Sequence, residues 1–227
     1  MRKIQRLAAV GAMAALTVAL GACSSSEEPA AAPPAPASEP VTPSPEAMTP
    51  SGGVTEISDI AGPACGQVPT EGEGSAQGMV DDPVGTAASN NPLLSTLVTA
   101  VTKANLVDTL NSAEELTVFA PINPAFEALP PGTVEELTTA PDVAQPTSQL
   151  SQILTTHVVG QRLDAEGLQE AGTAPSLHGS ELTIGGTAPD ALTVSSGGVT
   201  ANVVCANVPT ANATVFLIDK VMMPAKP

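Results

Sequence analysis

Thr117-Val118-Phe119-Ala120-Pro121-Ile122-Asn123-Pro124-Ala125-Phe126 changes from strand chemistry to helix chemistry within one short stretch, and that change decides the fold class. The β-branched and aromatic residues from Thr117 to Ala120 read as a short strand, which Pro121 stops because it has no N–H to give a ladder. Asn123-Pro124 then restarts the chain as a helix carrying Phe126 and Leu129. Pro131-Gly132 ends that helix, and Thr133 with Glu136 three residues later fits a capping box for one more. Upstream, Asn91-Pro92 reads as an N-cap and first helical position, with Leu93, Leu94, Leu97, Val98 and Val101 recurring along one face. Downstream, Leu150, Ile153, Leu154 and His157 fall at i, i+3, i+4 and i+7, so His157 ends an apolar helical face just before Val158-Val159.

The last third of the chain has a period of two. Leu182 and Ile184, Leu192 and Val194, then Val199, Ala201, Val203 and Cys205 alternate with polar residues across a Gly197-Gly198 turn, with Cys205 on the inward phase. Thr214 to Met222 is apolar on both faces, as in a central strand covered on both sides. Helices first and antiparallel hairpins later predict an α+β domain. The segment from Gly62 to Gly85, with its Gly and Glu, reads as a looser lead-in.

The start of the chain carries a different message. Arg2, Lys3 and Arg6 precede an apolar run from Leu7 to Leu20, the layout of a signal peptide and too short for a comfortable membrane span. The run ends in Leu20-Gly21-Ala22-Cys23, which resembles a lipobox; the alternative is an ordinary signal peptide with a cysteine near its cleavage site. The expected organisation is a signal peptide at 1–22, a lipidated Cys23 opening a disordered Pro/Ala-rich tether at 23–56, and one folded domain at 57–227. The tether is too poor in large apolar side chains to offset its ordering entropy. Thr42, Ser44 and Thr49 lie among its prolines, where O-linked sugars are plausible. Cys65 and Cys205 remain, and in an oxidising exported compartment two leftover thiols read as a disulfide, the alternatives being a metal pair or a catalytic thiol.

Composition narrows the function. A formal charge of -16, made more acidic by loss of the signal peptide, repels phosphate backbones and anionic headgroups. No nucleic-acid partner is expected, and the membrane is met through the lipid anchor only. Trp and Tyr are absent and the three Phe sit in apolar segments, leaving little for a sugar-stacking or aromatic cofactor site. Glu114-Glu115 and Glu135-Glu136 are adjacent acids that read as solvated faces. His157, alone on an apolar face, reads as a hydrogen-bonded core histidine, and His178 as solvated. Asn212-Ala213-Thr214 fits a glycosylation sequon but reads as turn chemistry. No nucleophile elbow, phosphate loop or dinucleotide fingerprint is present. No catalytic residue, cofactor or metal is expected, and neither is an enzyme.

The opening stretch is similar to the first signature of fasciclin (FAS1) domains. Ala213 to Pro224, with Ile218-Asp219-Lys220-Val221, resembles the family's closing strand, and Leu154-Thr155-Thr156-His157-Val158-Val159 its central element, with Thr156 where the family has Tyr. Further likenesses to single-domain actinobacterial surface lipoproteins and secreted antigens lie in Asn90 to Pro92, Asn105 to Ser112, Thr210 to Val215 and the Cys65 and Cys205 pair. The resemblance implies a wedge of two β-sheets flanked by helices, with Thr117, Phe119, Pro121, Asn123, Phe126, His157 and Asp219 as structural motif residues. It also implies adhesion or protein contact at the envelope or host interface, by a monomer on the outer face of the cell membrane. The alternative is capture of a lipid or apolar small molecule for transport or signalling.

Overall fold

The structure, a computed structural model, describes residues 54–224. The expected signal peptide, Cys23 and most of the tether, with Thr42, Ser44 and Thr49, lie outside the described residues. Seven strands follow one another as β1 (Leu116–Pro121), β2 (Val158–Val159), β3 (Thr173–Pro175), β4 (Glu181–Thr187), β5 (Ala191–Ser196), β6 (Val199–Pro209) and β7 (Ala213–Ile218). They pair in the order β2-β1-β7-β6-β5-β4-β3. β6 serves both halves, pairing with β5 through its first residues and with β7 through its last. The two sheets of the expected wedge are thus two ladders sharing one strand, and an antiparallel bridge from Val159 to Ser176 brings the outer strands back toward closure. All pairs are antiparallel except β1 with β7, which run parallel.

Because strand side chains alternate between faces, β1 and β7 feed two separate cores. Phe119, Phe216 and Ile218 enter the core inside the curved sheet, with Leu182, Leu192 and Val194 opposite. Val118, Ala120, Val215 and Leu217 point the other way, into the core beneath the helices. The Phe119 and Phe216 rings are tilted at a centroid separation of 5.5 Å, within the range of favourable aromatic pairs.

The helices are α1 (Ala76–Met79), α2 (Val84–Asn90), α3 (Ser95–Lys103), α4 (Val107–Ser112), α5 (Asn123–Glu127), α6 (Thr133–Thr139), α7 (Gln149–Thr156) and α8 (Ala165–Ala171). Asn91 caps as expected: its Oδ1 accepts from the Leu93 N–H at 3.0 Å, starting a 3-10 turn at Pro92–Leu94 that runs into α3. Asn123 does something else. Its Oδ1 accepts from Thr96 N–H at 3.1 Å and its Nδ2 donates to Pro92 O at 2.9 Å, so it caps α3 across space and gives its own helix no side-chain cap. The Thr133–Glu136 capping box does not form, because Gly132, at φ 90°, takes the cap position and Thr133 becomes the first helical residue.

The lead-in from Gly62 to Gly85 is not loose. Two register shifts in β6 between Val203 and Val208 leave Val204 and Ala206 without partners on β7. The N-terminal segment fills that gap: Ala64 N–H donates to Val204 O at 2.8 Å, and Ala206 N–H to Ala61 O at 2.7 Å. Gly62 lies at φ 132°, and a Cβ there would stand 2.6 Å from Val204 O, so only glycine permits the approach. Val68, Met79 and Val84 are then buried one at a time. Their wide spacing hides them from any periodicity test.

Candidate functional site

Cys65 and Cys205 form a disulfide across a sequence separation of 140, at the point where the N-terminal segment lies on the irregular part of β6. Neither the metal-pair nor the catalytic-thiol alternative fits two bonded sulfurs. The other motif residues bind the framework together. Thr117 Oγ1 donates to Gln161 O at 2.7 Å and accepts from Leu163 N–H at 2.9 Å, fixing the loop before α8. Pro121, buried, ends β1. Phe126 is half-buried between the helical core and a small cluster around Ala125, Ile153 and Val221. Asp219 accepts from the backbone and the side-chain amide of Asn202, both at 2.7 Å, locking the end of β7 to β6.

His157 is 3% exposed and both ring nitrogens are engaged. Met222 N–H donates to Nε2 at 2.9 Å, which makes Nε2 the acceptor and leaves Nδ1 as the N–H that donates to Ile153 O at 2.8 Å. The imidazole therefore satisfies a carbonyl that α7 leaves open at its C-terminus and ties that end to the strand exit. Burial pushes its pKa down to about 4, partly opposed by the Ile153 bond. A neutral, two-bonded histidine of this kind braces the structure. Thr156 beside it is fully buried and returns its hydroxyl to Gln152 O at 2.8 Å.

Two further asparagines have comparable roles. Asn212 Oδ1 accepts from Val84 N–H, and its Nδ2 donates to both Leu110 O and Ala113 O, each at 2.8 Å. With its amide so occupied and only 9% of the residue exposed, the sequon asparagine is a clamp between α2 and α4. Asn207, at φ 60°, joins Asp59 O to the start of α8. The sequence signal for both is asparagine's paired donor and acceptor, joined at Asn207 by its tolerance of the left-handed region.

Two spaces border the helical side. The first is a cavity between α2, α3, α4 and the sheet face carrying Val118, Val215 and Leu217, leaving ≈ 70 Å³ for the centres of water-sized molecules. No charged residue lines it. The second is an open trough of ≈ 570 Å³ bounded by Thr109, Leu110, Ala113, Glu114, Glu115, Leu116, Gly160 and Leu177. Leu177 borders both and is 49% exposed, yet its backbone is fixed, its N–H donating to Val158 O at 2.7 Å and that of His178 to Thr155 O at 3.2 Å. Glu114 and Glu115 are exposed on the trough's other side, and Glu135 and Glu136 are exposed on α6. Half-buried Arg162 donates to Thr210 O and Ala211 O; burial lowers its pKa while the charge of Glu115 raises it. Among the described residues there is no cluster of three metal-ligating side chains, and no helix long and apolar enough to cross a membrane.

A mixed sheet opened around one shared strand, with helices over one face and these motif residues as its ties, is the architecture of a fasciclin domain. Residues 92–224 match the fasciclin domain family, and the chain belongs to it. It is 45% identical over 175 residues to the cell surface glycolipoprotein MPT83 of Mycobacterium tuberculosis, covering 74% of this chain and 73% of that one. Identity to the immunogenic protein MPB70 of Mycobacterium bovis is also 45% over 175 residues, with 73% and 83% covered. A solved FAS1 domain pair from the insect cell adhesion molecule Fasciclin I aligns with 57% of this chain and 45% of its own, at TM-score 0.47 and 24% identity. The chain is a surface fasciclin protein.

Proposed function

We propose that this chain is a lipid-anchored contact module: Cys23 carries the acyl groups, the Pro-rich tether lifts the fasciclin domain from the outer face of the membrane, and the rim at Leu177 engages a protein in the envelope or the host matrix. The observation that supports the contact reading is Leu177 itself, a large apolar side chain 49% exposed on a backbone fixed by two hydrogen bonds, beside an open trough that carries Glu114 and Glu115. An apolar side chain on a fixed backbone has little backbone entropy to lose on binding and suits an interface. Glu114 and Glu115 favour a partner with a basic residue near its own apolar anchor, and attraction of that kind raises the association rate and weakens with salt.

The anchor reading draws support from MPT83, which is named a glycolipoprotein. In polyproline geometry, at about 3.1 Å per residue, a Pro-rich segment of the length from Ser24 to Gly53 would span on the order of 90 Å, enough to carry a domain through the first wall layers. Sugars on Thr42, Ser44 and Thr49 would stiffen it. No catalytic step belongs to this function, and the domain acts as a monomer. Mass spectrometry of the exported protein should find acylated Cys23 in the native chain and none in Cys23→Ser, whose hydroxyl does not replace the thiol in lipid transfer. The unacylated variant should leave the cell, and partner capture by whole cells should fall with it. Undiminished acylation of Cys23→Ser would end the anchor reading.

A further inference from the structure

We infer that residues 54–64 and the Cys65–Cys205 bond form a load-limiting strap: tension entering from the N-terminal side strips residues 54–64 from β6 and stops at Cys65, where the bond hands it to the centre of the sheet. The direction of that load rests on the proposed function, since a domain anchored ahead of Val54 and held at its rim is pulled between those two places. The strap is weak before Cys65. Val54 is 60% and Ile57 40% exposed, and Thr55, the one buried residue from 54 to 64, has a hydroxyl without a hydrogen-bond partner. Backbone groups hold the segment instead. Ala61 and Ala206 exchange two hydrogen bonds, at 3.4 and 2.7 Å, Ala64 N–H donates to Val204 O at 2.8 Å, and Asn207 Nδ2 donates to Asp59 O at 3.1 Å. A segment with so few buried apolar contacts opens before the rest of the fold.

At Cys65 the route of the load changes. Without the bond, stripping would run on through the lead-in, where Val68, Met79 and Val84 are buried one at a time and yield one at a time. With it, tension passes to Cys205, fully buried on the strand that pairs with both β5 and β7. A pull taken up on β4 then follows the chain back from 205 to 181 instead of forward from 65 to 181. All eight helices, β1, β2 and β3 lie off that shorter covalent route. The strap therefore lengthens a little and spares the helical half. Because Cys65 stays beside β6, the stripped residues remain near their partners and refasten when the load falls.

The test is single-molecule stretching of the unlipidated chain from Cys23 onward, with one maleimide-linked handle on the Cys23 thiol and one on a thiol placed on β4 by Glu181→Cys, an exposed position. The handles replace both membrane and partner, so failure here is distinct from failure of the anchor or contact reading. The oxidised chain should give one short step, at most about 40 Å for residues 54–64 at full extension. No further step should follow until the force has risen about twofold or more. With a reductant present, the short step should run on at nearly the same force through the lead-in, toward release of residues 65–181, on the order of 400 Å. Gly62→Ala keeps the bond but crowds Val204 O, so it should lower the force of the short step and leave the arrest in place. Opening of the oxidised domain with no earlier short step, or a short step that Gly62→Ala leaves unchanged, would overturn the strap. Stepping past Cys65 at the same force with and without reductant would overturn the arrest.

Discussion

Replacing Cys65 and Cys205 together by Ala should lower the stability of the domain by about 2–5 kcal/mol, the usual cost of losing a native disulfide. The bond closes 140 residues, so its loss frees a large part of the unfolded ensemble. In the native state the lead-in would then rest on the short ladder between Ala61, Ala64 and β6 and on the isolated buried side chains Val68, Met79 and Val84. For a domain of this size the melting temperature should drop on the order of 10 °C. Hydrogen exchange should show the lead-in losing protection before β1 and β7, because it is a peripheral unit and they are the centre of the sheet. An unchanged melting temperature under reducing conditions would mean that the bond contributes nothing the hydrogen bonds do not already supply.

His157→Ala should cost about 3 kcal/mol, because it orphans the buried Met222 N–H and removes the partner of Ile153 O, each at ~1–3 kcal/mol. The same residue gives the domain a pH dependence of known sign. Its pKa is about 4 when folded, against 6.5 in the unfolded reference. Between those values the unfolded chain binds a proton that the folded one refuses, so stability is complete above about pH 6.5 and is lost as the pH falls toward 4, by about 3 kcal/mol in all. Denaturant titrations from pH 7 to pH 4 should show that slope in the native protein and a shallower one in His157→Ala. A parallel slope in both would assign the acid sensitivity to other groups. A fully stable His157→Ala protein that fails to bind its partner would make His157 a contact residue.

The sequence shows which residues face inward better than it shows which strands are neighbours. Phe119 and Phe216 could be placed in a core from their flanks alone, and the strand, Pro121 and restarted helix were legible because Pro and Asn act on the local backbone. The parallel pairing of β1 with β7 was not, since the two are separated by most of the domain and a period of two is the same in either direction. The reach of Asn123 and Asn212 across the fold was hidden for a related reason. An asparagine beside a proline or in a sequon looks like local turn chemistry, whereas both amides reach groups that only the tertiary fold brings near. Thr133 lost its cap position to Gly132 because a glycine at positive φ starts the helix one residue earlier. The cavity was invisible for a deeper reason: helical periodicity counts the apolar side chains of α3 that point inward, and says nothing about whether they meet the sheet.

Adhesion by whole cells tests the contact reading most directly. Cells displaying the native chain and cells displaying Leu177→Asp, matched for surface amount by antibody, would be compared for attachment to envelope extract and to host matrix proteins separately. Leu177 is 49% exposed and its remaining surface borders the apolar cavity, so the melting temperature of Leu177→Asp would be measured first and attachment compared well below it. The account predicts that attachment to one of the two materials falls at least tenfold with Leu177→Asp and that attachment of the native cells weakens as salt is raised. Equal attachment by the native and Leu177→Asp cells to both materials would contradict it.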